Sequence, residues 1–421
     1  MGARRDVLVV GGGVAGLACA LYLSRAGAGV TVVESNRVGS GASSGNAGWL
    51  SPAQAGPLPE PGLIGGGLRM LLDRTSALYV APRTLPALAP WLLRFATYCT
   101  PSAYAAGAKA LSALGVRVFE LVDELGLELE LHRDGLLAVA PHERTARQFL
   151  ESIRPMAQPG LEIPSELVSG PAVHSYEPAL VERMRAGVSV PQHWHVRPEQ
   201  FVAALADRVR GQGAEIIEGA EVQDIETSGT RISAVRTAAG VLEADQVLLA
   251  AGAWSPRVAR MVGLKLPVAP GKGYSFTVRP QTPLRHAVLL LDVHVGCSPL
   301  NDGTVRVAGT MEFSGVNARL DRRRLEAIAD GAEAALGPWL QAPAHPWTGL
   351  RPIAPDGLPI IDRAPQLENL WIATAYSMLG MTLSLPAAEQ LSAFMASGRR
   401  PTLLEPFRAD RFKANRGWSV R

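Results

Sequence analysis

Residues 6–34 read DVLVVGGGVAGLACALYLSRAGAGVTVVE. Asp6–Val10 is a run of β-branched and apolar residues, the pattern of a strand buried in a parallel sheet. Gly11–Gly16 is a glycine turn, Leu17–Arg25 reads as a helix, and Gly27 is its stop signal. Val30–Glu34 is a second strand. Together they make a βαβ unit of dinucleotide-binding length. In Gly11-x-Gly13-x-x-Gly16, Gly11 permits the tight turn, Gly13 lets the backbone approach a pyrophosphate, and Gly16 lets helix and strand pack closely. Val14 and Ala15 lie within this turn as cofactor-binding candidates, and the N-terminus of the helix that follows favours anionic phosphates. Glu34 ends the second strand, where a carboxylate holds a ribose hydroxyl pair and repels a 2′-phosphate. A glycine turn kept only for packing explains neither the flanking strands nor an acid about 20 residues on.

Arg4 and Arg5 precede an uncharged stretch from Val7 to Ser24, which superficially resembles a signal peptide or membrane helix. The strand–turn–helix pattern favours a buried βα unit instead, and with it a cytoplasmic protein, with contact at the inner face of the membrane left open. The chain has 421 residues, enough for two or three domains or two discontinuous ones. Its 47% hydrophobic and 19% charged content allows a sizeable core. A net charge of +3 without a long basic run argues against a nucleic-acid binder. Cys19, Cys99 and Cys297 are far apart and form no CxxC, which excludes a redox dithiol or zinc ribbon. His193 and His195 lack a third ligand at metal spacing, so no metal is expected.

Ser40–Ser51 is a Gly/Ser-rich loop. Pro52–Pro101 is apolar and proline-broken, with helices expected at Leu63–Leu72 and Leu85–Tyr98. Its prolines and charges exclude a spanning helix, and core or lid packing is favoured over peripheral membrane contact. Helices are expected at Ala103–Leu125, Arg144–Met156, Pro198–Arg210, Leu320–Ala335 and Leu383–Ser397. Strands are expected at Leu136–Ala140, Ala214–Glu218, Val222–Thr227, Arg231–Thr237, Gly240–Ala244, Gln246–Ala250 and Trp371–Thr374. A second sheet takes Lys272–Pro280, Ala287–Val293, Ser298–Leu300 and Thr304–Thr310. The pattern is α/β at both ends with a mixed, β-rich middle. It divides the chain into a dinucleotide-binding domain (1–55, 192–265, 345–405), a substrate or cap domain (56–191, 266–344) and a tail (406–421). A single GxGxxG implies one dinucleotide. The Gln246–Ala250 strand runs into Ala251-Gly252-Ala253, small residues that leave room for a cofactor, and this favours FAD over NAD.

Beside the opening stretch, SGASSGNAG, VLLAAGAWS, GLRPIAPDGLPII and MLGMTLS resemble the D-amino-acid oxidase superfamily of flavoproteins in order and spacing. SSGNAG, PGKGYS, SPLNDGTVRVAGTMEF and MLGMTL are most similar to the D-amino-acid dehydrogenase small subunit and its relatives. The resemblance implies a Rossmann-like, non-covalent FAD-binding domain with a discontinuous, mixed-sheet substrate domain, of the D-amino-acid oxidase or glycine oxidase type. It implies that Ser43, Ser44, Asn46, Ala47 and Gly48 line the isoalloxazine and nearby phosphates, and that Ser35 joins Glu34. Val222 reaches the adenine side through its backbone, and Ala251, Gly252 and Trp254 also border the cofactor. It implies that Leu379, Gly380, Met381 and Thr382, between a strand and the last helix, offer backbone N–H groups that stabilise charge on the reduced flavin.

Arginine grips a carboxylate with a planar fork, and Arg351 of GLRP aligns with the superfamily's substrate-binding arginine. Tyr274 is a candidate to close the pocket with its hydroxyl, although a single strand tyrosine is more often core. Tyr376 stands where relatives carry histidine and is placed with the catalytic group, while Trp49 and Gln54 are further pocket candidates. The implied reaction is oxidative deamination of a D-amino acid, with hydride passing from Cα to flavin N5 and the imine hydrolysing to a 2-oxo acid. Glycine, sarcosine, D-proline or D-hydroxyproline are alternative substrates, and a tailoring oxidase of another substrate class is a further reading. The implied partners are the small-molecule substrate and an acceptor, which is oxygen, a quinone or a redox protein.

Overall fold

The computed structural model describes residues 6–63 and 73–412. The helix expected at Leu63–Leu72 and the end of the tail, 413–421, fall outside the described residues. The glycine stretch lies at the centre of a six-stranded sheet. Its order is Glu215–Ile217, Gly29–Val33, Asp6–Val10, Gln246–Leu249, Leu370–Thr374, Ile360–Arg363. The first five strands are parallel and the last is antiparallel. Val7 and Val9 pack on one face against the helices Val14–Arg25, Pro198–Gly211 and Gly380–Ser397. Leu8 and Val10 pack on the other, over the antiparallel meander Val222–Ser228, Arg231–Thr237, Gly240–Leu242. Burial on both faces is why these strands read as unbroken apolar runs. Gly11 takes φ +116°, and a Cβ on Gly16 would stand 1.9 Å from the Gly11 carbonyl oxygen. Only a residue without a side chain allows the helix this close.

A second, mixed sheet runs Trp339–Ile353, Ala269–Pro280, Val305–Phe313, Val295–Pro299, Ala287–Leu290, Leu136–Ala140, Ala186–Val190, Val168–Ser169. Leu78–Val80 also joins Val305–Phe313. Alternation along Ala269–Pro280 sends Tyr274, Phe276 and Val278 toward the helix Arg322–Leu336, where they meet Ile328 and Ala332. Gly271, Gly273, Ser275 and Thr277 face the other way. Ser275 donates from that face to the Gly45 carbonyl and ties the serine loop to this sheet.

Among the strands that the sequence does not announce are Ala186–Val190 and Trp339–Ile353. The second carries Pro343 and Pro346, which argue against a central strand, but it lies at the sheet edge, where a missing N–H is tolerated. It runs unbroken through residue 345 and carries Arg351 in the second sheet. The single helix expected at Ala103–Leu125 is two, Pro101–Gly115 and Val118–Leu125. The last helix starts at Gly380, three residues before its apolar run suggested. Among the described residues, no helix is long and apolar enough to cross a membrane.

Candidate active site

A cavity of about 520 Å³ opens at the C-terminal ends of the parallel strands, where Val10, Val33, Ala250 and Thr374 line it. Open α/β sheets place their ligands at this end. Its far wall is the inner face of the second sheet, with Ala308, Thr348 and Arg351.

At the sheet end, Glu34 is fixed. Its Oε2 accepts the Gly12 N–H at 2.8 Å, and its Oε1 accepts from the Ser35 hydroxyl and the Asn36 N–H at 3.0 Å each. Gly13 precedes the first helix and offers no side-chain cap. The Val14 N–H donates instead to the Ser43 hydroxyl at 2.9 Å, which ties the glycine turn to the serine loop. Asn46 holds that loop in shape. Its amide nitrogen donates to the Ala42 and Ser43 carbonyls, and its Oδ1 accepts the Gly48 N–H at 2.7 Å. Gly45 has φ +67°, and a Cβ there would reach to 2.4 Å of the Trp347 ring. A Cβ on Gly349 would come within 2.2 Å of the same ring. Trp347 is therefore a flat wall between the serine loop and Gly349, two residues on in its own strand. In the sequence only Gly349 stands near Trp347; Gly45 meets the ring through the fold.

Of the residues expected to hold a cofactor, Gly11, Gly13, Val14, Ala15, Glu34, Ser35, Ser43 and Asn46 border this cavity, as do Val222, Ala251, Gly252, Trp254, Gly380 and Met381. Gly16, Ser44, Ala47, Gly48, Leu379 and Thr382 sit behind that lining and set its shape. Ser44 donates to the Gly39 carbonyl, and Thr382 bridges the Trp49 carbonyl and the Ser51 N–H. A Cβ on Gly48 would meet the Val196 oxygen at 1.9 Å. The Ala47 carbonyl accepts from Ser298.

Arg351 places its guanidinium in the cavity. Nη1 donates to the Thr310 carbonyl at 2.6 Å, with the Met311 sulfur at 3.8 Å. Among the described residues no acidic side chain pairs with it. Burial lowers its pKa to about 10, so it stays charged at neutral pH. A charged fork held only by a neutral carbonyl is a seat for an anion.

The two tyrosines are placed differently from expectation. Tyr274 borders the cavity, but its hydroxyl lies on the far side of the sheet and donates to Glu312 at 2.5 Å. Glu312 also pairs with Lys272 at 2.9 Å, and the Arg324 guanidinium lies over the Tyr274 ring. Strand alternation decides this, because Tyr274 shares the helix-facing side with Phe276. Tyr376 also borders the cavity, between Ala375 and Ser377, which both have positive φ. Its hydroxyl is sunk in the core with no hydrogen-bond partner, and burial and the nearby Cys19 raise its pKa. Neither hydroxyl reaches the space beside Arg351. Trp49 and Gln54 do not line the cavity. Trp49 donates to Ser298 at 2.8 Å and stands edge-on to His193.

That histidine belongs to a buried cluster behind the serine loop. His193 has neither ring nitrogen paired, and His195 stacks on His132 at 4.3 Å. Burial pushes His193 well below the usual histidine range and His195 down to about 4.

Comparison with known proteins agrees with this geometry. The family described as FAD dependent oxidoreductase (DAO) matches residues 6–394. A D-amino acid dehydrogenase of Bradyrhizobium diazoefficiens is 33% identical over 413 residues, covering 94% of this chain and 96% of its own. Among solved structures, a glycine oxidase from Geobacillus kaustophilus superposes with a TM-score of 0.72 at 26% identity, covering 97% of this chain and 99% of its own. An L-proline dehydrogenase from P. horikoshii shares the fold with a TM-score of 0.73 at 19% identity, covering 98% and 99%.

Proposed function

The chain belongs to the FAD-dependent oxidoreductase (DAO) family, and from this premise we propose that it oxidises the amine α to a carboxylate in a D-amino acid. The unpaired Arg351, facing a dinucleotide-binding turn across one cavity, carries the reading.

The residues present fit FAD. Gly11 admits no side chain, Gly13 leaves the helix N-terminus open, and Glu34 is pre-oriented by Gly12. The turn and the N-terminus of the first helix would hold the FAD pyrophosphate, and Glu34 would hold ribose hydroxyls. Ser43, Asn46 and Trp347 would bound the flavin ring, and the start of the Gly380–Ser397 helix would supply a positive dipole end there. We take the cofactor to be held without a covalent bond. When bound, FAD accepts the two electrons of the oxidation.

Arg351 binds the substrate carboxylate through the part of its fork that Thr310 leaves free. Trp347, Val316 and Ala308 present apolar surface around the remainder. The substrate amine enters uncharged, and no side chain of the site is needed as its base. The chain contributes orientation and fixed dipoles. The imine leaves and hydrolyses to a 2-oxo acid and ammonia. Oxygen, a quinone or a redox protein takes up the electrons. Glycine, sarcosine and D-proline fit the same arginine and are the alternatives. We assign 1–55, 192–265 and 345–405 to the cofactor-binding unit and 56–191 and 266–344 to the substrate unit, allowing that the strand carrying Arg351 spans that division.

The test is product analysis with D-alanine. Equal amounts of 2-oxo acid and ammonia, with none from L-alanine, support the reading. Turnover of the L-form alone would reverse the stereochemical assignment.

A further inference from the structure

We propose that Gly273 and Thr310 are positioning residues that seat the Arg351 guanidinium for a ligand carboxylate. This rests on the reading of Arg351 as the carboxylate-binding group.

Arg351 lies on the edge strand, paired with Gly271 of the Ala269–Pro280 strand. Its side chain crosses that strand diagonally. A Cβ built on Gly273 would stand 2.4 Å from Cζ and Nη2 of Arg351 and 2.7 Å from Nη1. The guanidinium therefore occupies the volume that any side chain at 273 would fill.

The strand beyond is bulged at this point. Lys272 pairs with Glu312 and Tyr274 with Gly309, so Thr310 and Met311 together oppose Gly273 alone. Such a bulge inserts one residue and re-aims the local backbone. Within it Thr310 takes φ +60°, a region in which a β-branched residue is crowded. The Thr310 hydroxyl is buried without a partner, so its side chain does not hold this conformation. What the turn achieves is the direction of the carbonyl. It leaves the ladder and accepts Arg351 Nη1 at 2.6 Å.

The chemistry of this seat is specific. A neutral carbonyl fixes one edge of the guanidinium without neutralising it, whereas a carboxylate there would quench the charge. The remaining N–H groups stay available for a bidentate grip on a carboxylate. Backbone strain commonly collects at sites where it serves positioning.

The experiment uses the FAD-loaded enzyme and three variants, Gly273→Ala, Thr310→Pro and Thr310→Gly. It measures kcat and KM with the best amino-acid substrate, and Kd for benzoate by calorimetry. Alanine at 273 displaces the guanidinium, and proline at 310 cannot adopt positive φ. Both are expected to raise KM and the benzoate Kd about tenfold or more, with kcat at saturation falling by a smaller factor than KM rises. Glycine at 310 keeps the turn and the carbonyl, so it should stay within about twofold of wild type in both constants. A merely structural role would not separate KM from kcat or spare the glycine variant. Wild-type benzoate binding in both Gly273→Ala and Thr310→Pro would overturn the proposal, as would a Thr310→Gly enzyme as weak as they are. If one of the first two fails to load FAD, the other and Thr310→Gly decide. Failure of the wild type to oxidise any amino acid would instead remove the reading of function, and the benzoate constants would still test the seat.

Discussion

The carboxylate of Glu34 accepts the backbone N–H of Gly12 at 2.8 Å, so the acid at the end of the second strand is pinned to the glycine turn. It is thereby oriented before any ribose arrives. Glu34→Ala removes this and leaves the Gly12 N–H without its partner. FAD affinity, titrated into apoprotein by fluorescence quenching, should fall by about tenfold to a hundredfold, the worth of one or two charge-assisted hydrogen bonds. An unchanged affinity would show that Glu34 only braces the turn.

Gly16→Ala puts a methyl group against the Gly11 carbonyl oxygen, at a built distance of 1.9 Å. Backbone cannot yield as a side-chain tip can. The variant should lose several kcal/mol of stability and purify without flavin. A yellow protein with wild-type melting behaviour would contradict the packing role of this glycine.

Much of the first sheet was legible in the sequence, because strands buried on both faces read as apolar runs and the glycine spacing fixes the turn between them. Asp6–Val10 and Gln246–Leu249 are examples. The second sheet was harder. Trp339–Ile353 has no alternation and carries prolines, and only the edge position makes it a strand. At the site, Arg351 and Glu34 stood out by chemical type. The facing of Tyr274 depends on strand parity, the depth of Tyr376 on the packing of the first and last helices, and Thr310 on a bulge. None of these is written in local composition. Trp347 and Thr310 acquire meaning only once Gly45, Gly349 and Gly273 are seen to leave space for their neighbours.

Tyr376→Phe removes a hydroxyl that has no partner. An unsatisfied buried polar group is a liability, so the variant should match wild-type stability or exceed it by about 1 kcal/mol. Its kcat/KM should stay within about twofold, since the hydroxyl does not reach the cavity. A loss of activity beyond tenfold would return Tyr376 to the catalytic group.

The buried histidines make the fold acid-sensitive. His195 titrates at about 4 in the folded chain and near 6.5 when unfolded. The unfolded state thus binds more protons between these values. Stability is complete above about pH 6.5, declines as pH falls toward 4 and levels off below, a loss on the order of 3 kcal/mol for this group. His193 acts in the same direction. His193→Phe keeps an aromatic edge against Trp49 and should flatten the fall in melting temperature between pH 7 and pH 4.5. An identical slope in the variant would place the acid sensitivity elsewhere.

The most direct measurement is anaerobic reduction of the bound flavin, followed near 450 nm, with D- and L-amino acids, glycine, sarcosine and D-proline in turn. A D-amino acid should bleach the flavin fast, and Arg351→Ala should lose that bleaching by about a hundredfold or more, since the carboxylate grip is made by that side chain. Flavin that no amino acid reduces, or that Arg351→Ala reduces as fast as wild type, would contradict the proposed function.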